Sequence, residues 1–383
     1  MRTRIRAIET FRVSQRFMVC KVSTDDGLVG WGEPILESRA ETVEAAVREL
    51  SQLLIGADPA PIERHRQVLV KAGFYRGGPV FGSAVAGLDQ ALWDLKGKAL
   101  GVPVHELLGG PVRDRVRIYG PAHGDETEVM LDQARSLVEA GYTAVKVAPP
   151  RTLGFVDTQA TVHGLIDRWT ALRDEIGPGI DFAIDFHARV SAPMARVLLR
   201  HLEPLMPMFV EEPLPPEHQA RIGELAAATT VPIATGERLY DRWDCDPVLR
   251  SGIAVLQPDV SHAGGISEVF RIAALAETHH VHLAPHCATG PVALAAGLQL
   301  DLAVPNVLIQ ESHLRLHRPG EHPMMRFVTE PDTLVFEDGY RRRPVGPGLG
   351  IELDEEALRA AAAAPDSTRS PVWSYPDGSY AEW

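Results

Sequence analysis

Cysteine is scarce. Cys20, Cys245 and Cys287 are the only three in 383 residues, they lie far apart, and no Cys-x-x-Cys pair exists. An odd number of scattered thiols excludes a disulfide framework and a thiolate zinc site, and reads as reduced cysteine in a cytoplasmic protein. Positive charge is also short: 38 Lys+Arg stand against 51 Asp+Glu, a formal net charge of −13. Such a surface repels phosphate backbones, so nucleic acid is not an expected partner. The surplus acid can instead gather around a cation. Long apolar runs are missing too. Val281 to Leu300, within the longest stretch without Asp, Glu, Lys or Arg, holds His282, Pro285, His286 and Pro291 and makes a poor membrane span. The start, Met1 to Arg6, is basic and leads to Glu9 and Thr10 without an apolar core, so no export signal is expected.

What remains is ordinary globular material: 45% hydrophobic, 23% charged, with 33 Gly and 30 Pro. The length suggests two domains, one of them large, with a core that needs no covalent staple. Residues 1 to about 115 read as an α+β unit. Ile5–Ile8 and Met18–Val22 are β-rich, Asp25-Asp26-Gly27 supplies a turn, and Ala40–Leu54 and Ser83–Leu100 carry apolar residues at helical spacing. From residue 116 the texture changes to β-rich runs alternating with helices. The strands are expected at Val116–Tyr119, Ala144–Val147, Phe182–Ile184, Met208–Val210, Pro232–Ala234, Ile253–Leu256, Val281–Ala284 and Val307–Ile309. Eight such units over 116–330 predict a parallel α/β barrel, with an open doubly wound sheet as the alternative. Residues 331–383 read as a Pro- and Gly-rich tail that packs back on the first domain.

Barrel chemistry sits at the C-terminal ends of strands. Successive strands here are followed by Asp185, Glu211, Glu237, Asp259, His286 and Glu311, at steps of 26, 26, 22, 27 and 25 residues. One βα unit separates each from the next, so all six point into one cavity. Three carboxylates on successive strands repel one another unless a proton or a cation intervenes. Oxygen-only donors suit a hard ion such as Mg2+, which makes Asp185, Glu211 and Glu237 the candidate metal ligands. Singly, each could merely favour a helix N-terminus. On an extended backbone His187 would point to the same side as Asp185. Asp259 could orient His286 and raise its basicity. Lys146 ends the second strand and either neutralises these carboxylates or acts on substrate directly.

Several segments carry a resemblance: Gly73-Phe74-Tyr75-Arg76-Gly77-Gly78-Pro79, Asp89-Gln90-Ala91-Leu92-Trp93-Asp94, Asp185-Phe186-His187, Glu211-Glu212-Pro213, Gly236-Glu237-Arg238, Gln257 through Gly265, Ala284-Pro285-His286-Cys287 and Asp377 through Trp383. In this order they resemble the mandelate racemase subgroup of the enolase superfamily, over essentially the whole chain.

The resemblance implies a capping domain, built from the N-terminal part and the C-terminal tail, over a modified (β/α)7β TIM-type barrel. It implies one Mg2+ on the three carboxylates, His286 paired with Asp259 as base, His187 as acid, and Glu311 hydrogen-bonded to the substrate carboxylate. It further implies a lyase that dehydrates an acid sugar by taking the C2 proton and releasing the C3 hydroxyl, with D-galactonate the first expected substrate. Another aldonate, an epimerase, or a silent metal-binding barrel are the alternatives. Loops bearing Arg16 and Tyr75 are expected to close over the substrate, and copies of the chain to assemble. One departure matters. Many subgroup members carry Lys-x-Lys on the second strand, but here Ala148 follows Lys146-Val147, which removes the opposite-face base of a two-base racemase.

Overall fold

A computed structural model describes residues 3–150, 152–314, 322–330, 334 and 336–382. Trp383 of the terminal motif lies outside the described residues. The chain opens with an antiparallel three-stranded sheet, β1 (Ile5–Arg12), β2 (Met18–Thr24) and β3 (Val29–Gly32). Helices α1 (Ala40–Ser51), α2 (Ile62–Lys71), α3 (Pro79–Leu100) and the short α4 (Val104–Leu107) follow. Ala40, Val43, Ala46, Val47 and Leu50 make one buried face of α1, at the spacing of an amphipathic helix. α3 starts with Pro79 at its first turn and ends on Gly101 in the left-handed conformation, both expected of those residue types. It is buried nearly all round. Side chains at Gly30 and Gly32 would collide with the α3 backbone at Ala91 and Gly87, so only glycine lets β3 lie this close.

The second unit is a closed barrel. Its strands are β4 (Arg115–Pro121), β5 (Ala144–Val147), β6 (Asp181–Asp185), β7 (Phe209–Glu211), β8 (Ile233–Thr235), β9 (Val255–Leu256), β10 (His282–Leu283) and β11 (Gln310–Glu311). Neighbours pair in parallel from β4 to β10, β11 pairs with β4, and a bridge from Leu283 to Val307 closes the ring. Seven helices connect the eight strands: α5 (Thr127–Glu139), α6 (Gln159–Ile176), α7 (Ala192–Leu202), α8 (Ile222–Ala226), α9 (Arg242–Leu249), α10 (Ile266–Thr278) and α11 (Pro291–Ala303). The arrangement is therefore a (β/α)7β barrel, as the resemblance implies. The last strand forms at Gln310–Glu311 rather than Val307–Ile309; Val307 contributes only the closing bridge.

Inside the barrel Tyr119, Ala144, Ala183, Phe209, Ala234, Val255, Ala284 and Ile309 form one buried cluster, one residue in or next to each strand. Large and small side chains together fill the bore. This layer fixes what lies above it. Strand side chains repeat every two residues, so the next inward positions include 146, 185, 211, 286 and 311. These are Lys146, Asp185, Glu211, His286 and Glu311.

The tail divides between the two units. β12 (Phe336–Glu337) and β13 (Tyr340–Arg342) form a hairpin over Asp338-Gly339, and β13 joins β4 in antiparallel. α12 (Glu355–Ala362) packs on β1, with Lys21 Nζ 2.6 Å from Glu355 and Arg359 3.0 Å from Glu9. A last hairpin pairs β14 (Trp373–Ser374) with β15 (Tyr380–Ala381).

Side chains of the first unit finish helices of the second. Asp89 accepts from Ser267 N (2.9 Å) and Ser267 Oγ (2.6 Å) in the first turn of α10. Glu33 accepts from Gly290 N (2.5 Å) and Ala293 N (2.9 Å) at the start of α11. Gln90 donates to Val260 O and Ser261 Oγ. Burial pushes the Glu33 carboxyl up to about 8 and Asp89 up to about 7, against the hydrogen bonds each accepts. On α11, Asp301 is fully buried and neither of its carboxyl oxygens has a hydrogen-bond partner among the described residues; burial pushes it up to about 8, with Arg113 pulling the other way. Among the described residues no helix is long and apolar enough to cross a membrane.

Candidate active site

A cavity of about 1000 Å3 opens at the C-terminal end of the barrel, and its walls include Lys146, Asp185, His187, Glu237, His286 and Glu311. Glu211 lies directly beneath: Asp185 and Glu211 are in register across β6 and β7, and both are buried. Glu237 arrives one residue later than the alternation of β8 would give. Gly236 absorbs the offset with φ +147, and a side chain there would strike the Gln257 backbone.

Lys146 is the counter-ion of this floor. Its buried Nζ lies 2.6 Å from Glu311, 2.9 Å from Glu211 and 3.3 Å from Asp185. One ammonium does not balance them. Burial, then the charge of Asp185, push Glu211 well above the usual carboxylate range despite Lys146, with Glu311 and Glu237 adding to the push. Surplus negative charge on an oxygen-only donor set fits a hard divalent cation. Each carboxylate turns toward its own partner: Asp185 to His187, Glu211 to Lys146, Glu237 to Arg238 at 3.4 Å. Among the described residues the one trio of possible ligand atoms that all lie within 4.8 Å of one another is instead Asp259, His262 and His286.

His286 is held by Asp259. Nδ1 and Asp259 Oδ2 are 2.7 Å apart, and Ser261 N fixes the other carboxylate oxygen at 2.6 Å. The carboxylate accepts from Nδ1, which leaves Nε2 facing the cavity, 3.5 Å from Glu237 and 3.9 Å from Glu311. Burial opposes a charge on this ring, yet Glu237, Glu311 and the Asp259 hydrogen bond hold its pKa well above the ordinary value. Burial likewise opposes a charge on Asp259, but His262 and His286 keep its pKa below the usual range.

His187 stands against Asp185, with Nε2 3.0 Å from Oδ2 and its backbone N–H donating to Oδ1 at 2.7 Å. The pairing is as expected, but the backbone is not extended. His187 and Ala188 have φ +50 and +55. Hydrogen bonds from Phe186 N to Glu211 O and from Ala188 N to Glu212 O impose the bend. Glu311 is gripped three times, by Lys146, by Cys287 N (3.0 Å) and by His313 Nε2 (3.1 Å).

Arg16 reaches the cavity from the loop between β1 and β2, held by Glu37 at 2.8 Å. Tyr75 does not. It is 92% exposed, sits edge-on to Phe74, and is not part of the cavity wall. Arg238, His313 and Trp373 line the cavity without having been read as site residues. Arg238 lay one residue past a quoted carboxylate and His313 two past another. Trp373 carried no such signal.

Fold and site together define a capped-barrel enzyme. Residues 4–109 match the mandelate racemase/muconate lactonizing enzyme N-terminal domain, and residues 129–357 the enolase C-terminal domain-like family. The chain is 47% identical over 382 residues to the D-galactonate dehydratase of Pectobacterium atrosepticum, covering 99% of this chain and 100% of that one. It is 46% identical over 381 residues to that of Variovorax paradoxus, with the same coverage. An enolase from Agrobacterium radiobacter, solved with sodium and L-malate bound, superposes with TM-score 0.90 at 33% identity, covering 99% of each chain. An enolase superfamily member from Salmonella Typhimurium gives 0.86 at 31%, covering 93% of this chain and 98% of that one. The protein belongs to the enolase superfamily, in its mandelate racemase/muconate lactonizing enzyme branch.

Proposed function

We propose that the protein is a Mg2+-dependent acid-sugar dehydratase acting on D-galactonate. The observation that carries this is a pair of histidines on the walls of one cavity, each backed by its own carboxylate: His286 on Asp259 at 2.7 Å and His187 on Asp185 at 3.0 Å. The full-length relatives named D-galactonate dehydratase support the substrate.

His286 Nε2, in the neutral form of the ring, takes the C2 proton. Asp259 keeps Nδ1 protonated and stabilises the imidazolium that results. His187 gives its proton to the C3 hydroxyl, which leaves as water, and the enol so formed tautomerises to a 2-keto-3-deoxy acid. Lys146 and Glu311 bind and orient the substrate carboxylate. Arg16 lies on the cap side of the cavity. Asp185, Glu211 and Glu237 would hold Mg2+, which when bound supplies positive charge opposite the charge developing on the substrate carboxylate. The same reading places the protein in the cytoplasm as a homo-oligomer; light scattering that returns the mass of one chain removes the second part.

The test separates the two histidines. His286→Asn is expected to lose both dehydration and exchange of the C2 proton in D2O, each by about 10²-fold or more. His187→Asn is expected to lose dehydration while C2 exchange survives. Exchange that persists in the first variant, or vanishes in the second, breaks the assignment.

A further inference from the structure

The terminal motif takes no part in the chemistry above, yet it is a built element. Asp377 Oδ1 accepts from Ser379 N at 3.0 Å and Ser379 Oγ at 2.6 Å, and Gly378 has φ +85. This turn sets β14 against β15, with Trp373 opposite Ala381. On its way there the tail is fastened to the cap: Asp366 N donates to Val13 O at 2.9 Å, and the Ser38 and Ser370 hydroxyls are 2.7 Å apart. Ser38 N in turn donates to Gln15 O, next to Arg16. On the barrel side the Tyr375 hydroxyl donates to Leu153 O at 2.7 Å, in the segment after β5. The tail is thus anchored to both units, and Trp373 forms part of the cavity wall.

A row of side chains leads from the reacting end to this ring. His187 Nε2 meets Asp185, its Nδ1 is 3.4 Å from Arg189 Nη2, and the Arg189 guanidinium is 5.3 Å from the centre of the Trp373 ring system. Arg189 also donates to Pro149 O at 3.0 Å, which ties it to the segment after β5.

We infer that Trp373 is a specificity-determining residue that packs on the polyol end of the acid sugar, beyond C3, and favours six-carbon over shorter aldonates. The inference rests on the dehydratase reading and deepens it. If His187 addresses the C3 hydroxyl, the carbons after C3 run along the wall that continues through Arg189 to Trp373. An indole suits that place. Its flat apolar face covers the C–H groups of the chain, while the hydroxyls project to polar partners or water. A shorter aldonate satisfies Lys146, Glu311 and both histidines equally well and loses only this contact. Discrimination between chain lengths therefore falls to the tail and not to the reacting groups.

The experiment compares wild type, Trp373→Ala, Trp373→Phe and Tyr375→Phe on D-galactonate and on a five-carbon aldonate. It reads 2-keto-3-deoxy product and C2 exchange in D2O. Trp373→Ala is expected to raise KM for D-galactonate about tenfold, to lower kcat by much less, and to narrow the six- over five-carbon preference by a similar factor. Trp373→Phe should keep most of the preference. Tyr375→Phe, which releases the tail from Leu153, should shift KM the same way by a smaller factor. An unchanged KM and preference in Trp373→Ala overturns the inference. So does an equal fall in kcat on both substrates with the preference intact, the mark of a purely structural role. Wild type that neither dehydrates nor exchanges either aldonate removes the dehydratase reading and this inference with it.

Discussion

Asp301 offers a stability experiment whose sign is fixed by the structure. The group is fully buried in α11 and neither oxygen has a hydrogen-bond partner among the described residues. Burial pushes it from 3.8 up to about 8. Between those values the unfolded chain is ionised at this position while the folded chain holds the proton. The folded state then binds more protons than the unfolded one, so stability falls as pH rises across the window. The slope is about 1.4 kcal/mol per pH unit, and over the whole interval the group contributes about 6 kcal/mol of pH dependence. Asn resembles the protonated acid in shape and cannot ionise. Asp301→Asn should therefore match wild type only below about pH 4, be the more stable protein above that, and widen its lead by about 3 kcal/mol between pH 5.5 and 8. The other raised carboxyls, Glu33, Asp89 and Glu211 among them, titrate alike in both proteins and cancel in the difference. Urea unfolding followed by tryptophan fluorescence, repeated at half-unit steps of pH, measures the offset. An offset that stays flat, or that grows toward low pH, refutes the reasoning.

Lys146→Met strands Glu211 and Glu311 without their ammonium and should cost about 3–5 kcal/mol, visible as a lowered thermal midpoint. A midpoint equal to wild type would mean that the carboxylates find another counter-charge. Mg2+ at a hundred times its Kd should stabilise the wild type by about 2.7 kcal/mol, and the gain should vanish in Glu211→Gln; an equal gain in the variant places the ion elsewhere. Rigorous chelation with EDTA should silence turnover and Mg2+ restore it. Gly236→Ala should displace Glu237 and reduce metal affinity at least tenfold by calorimetry, since a Cβ meets the Gln257 backbone; unchanged affinity argues against Glu237 as a ligand.

The barrel was legible because its strands recur once per βα unit and because a period of two carries each strand from an inner-layer residue to a site residue. Ala144 leads to Lys146, Ala183 to Asp185 and Phe209 to Glu211 by the same step. What escaped obeys other rules. α9 carries Pro247 in its interior, and a proline there hides a helix from pattern reading. The bend at His187 is set by hydrogen bonds to β7, a long-range effect that local sequence does not encode. Tyr75 reads as a lid residue beside glycines, but its loop projects into solvent. β13 joins β4 across more than two hundred residues of chain, and Trp373 reaches the cavity from still further; neither has a local signal.

Asp89 and Glu33 complete the first turns of α10 and α11 from another domain, and Gln90 holds the backbone beside Asp259. A hinge that swung the two units apart would uncover those helix starts and loosen the Asp259–His286 pair at the same moment. Traffic in and out of the cavity must therefore use small local movements near the rim, with the domains themselves staying docked. A chimera that exchanged one unit for a relative's would have to bring these three side chains along.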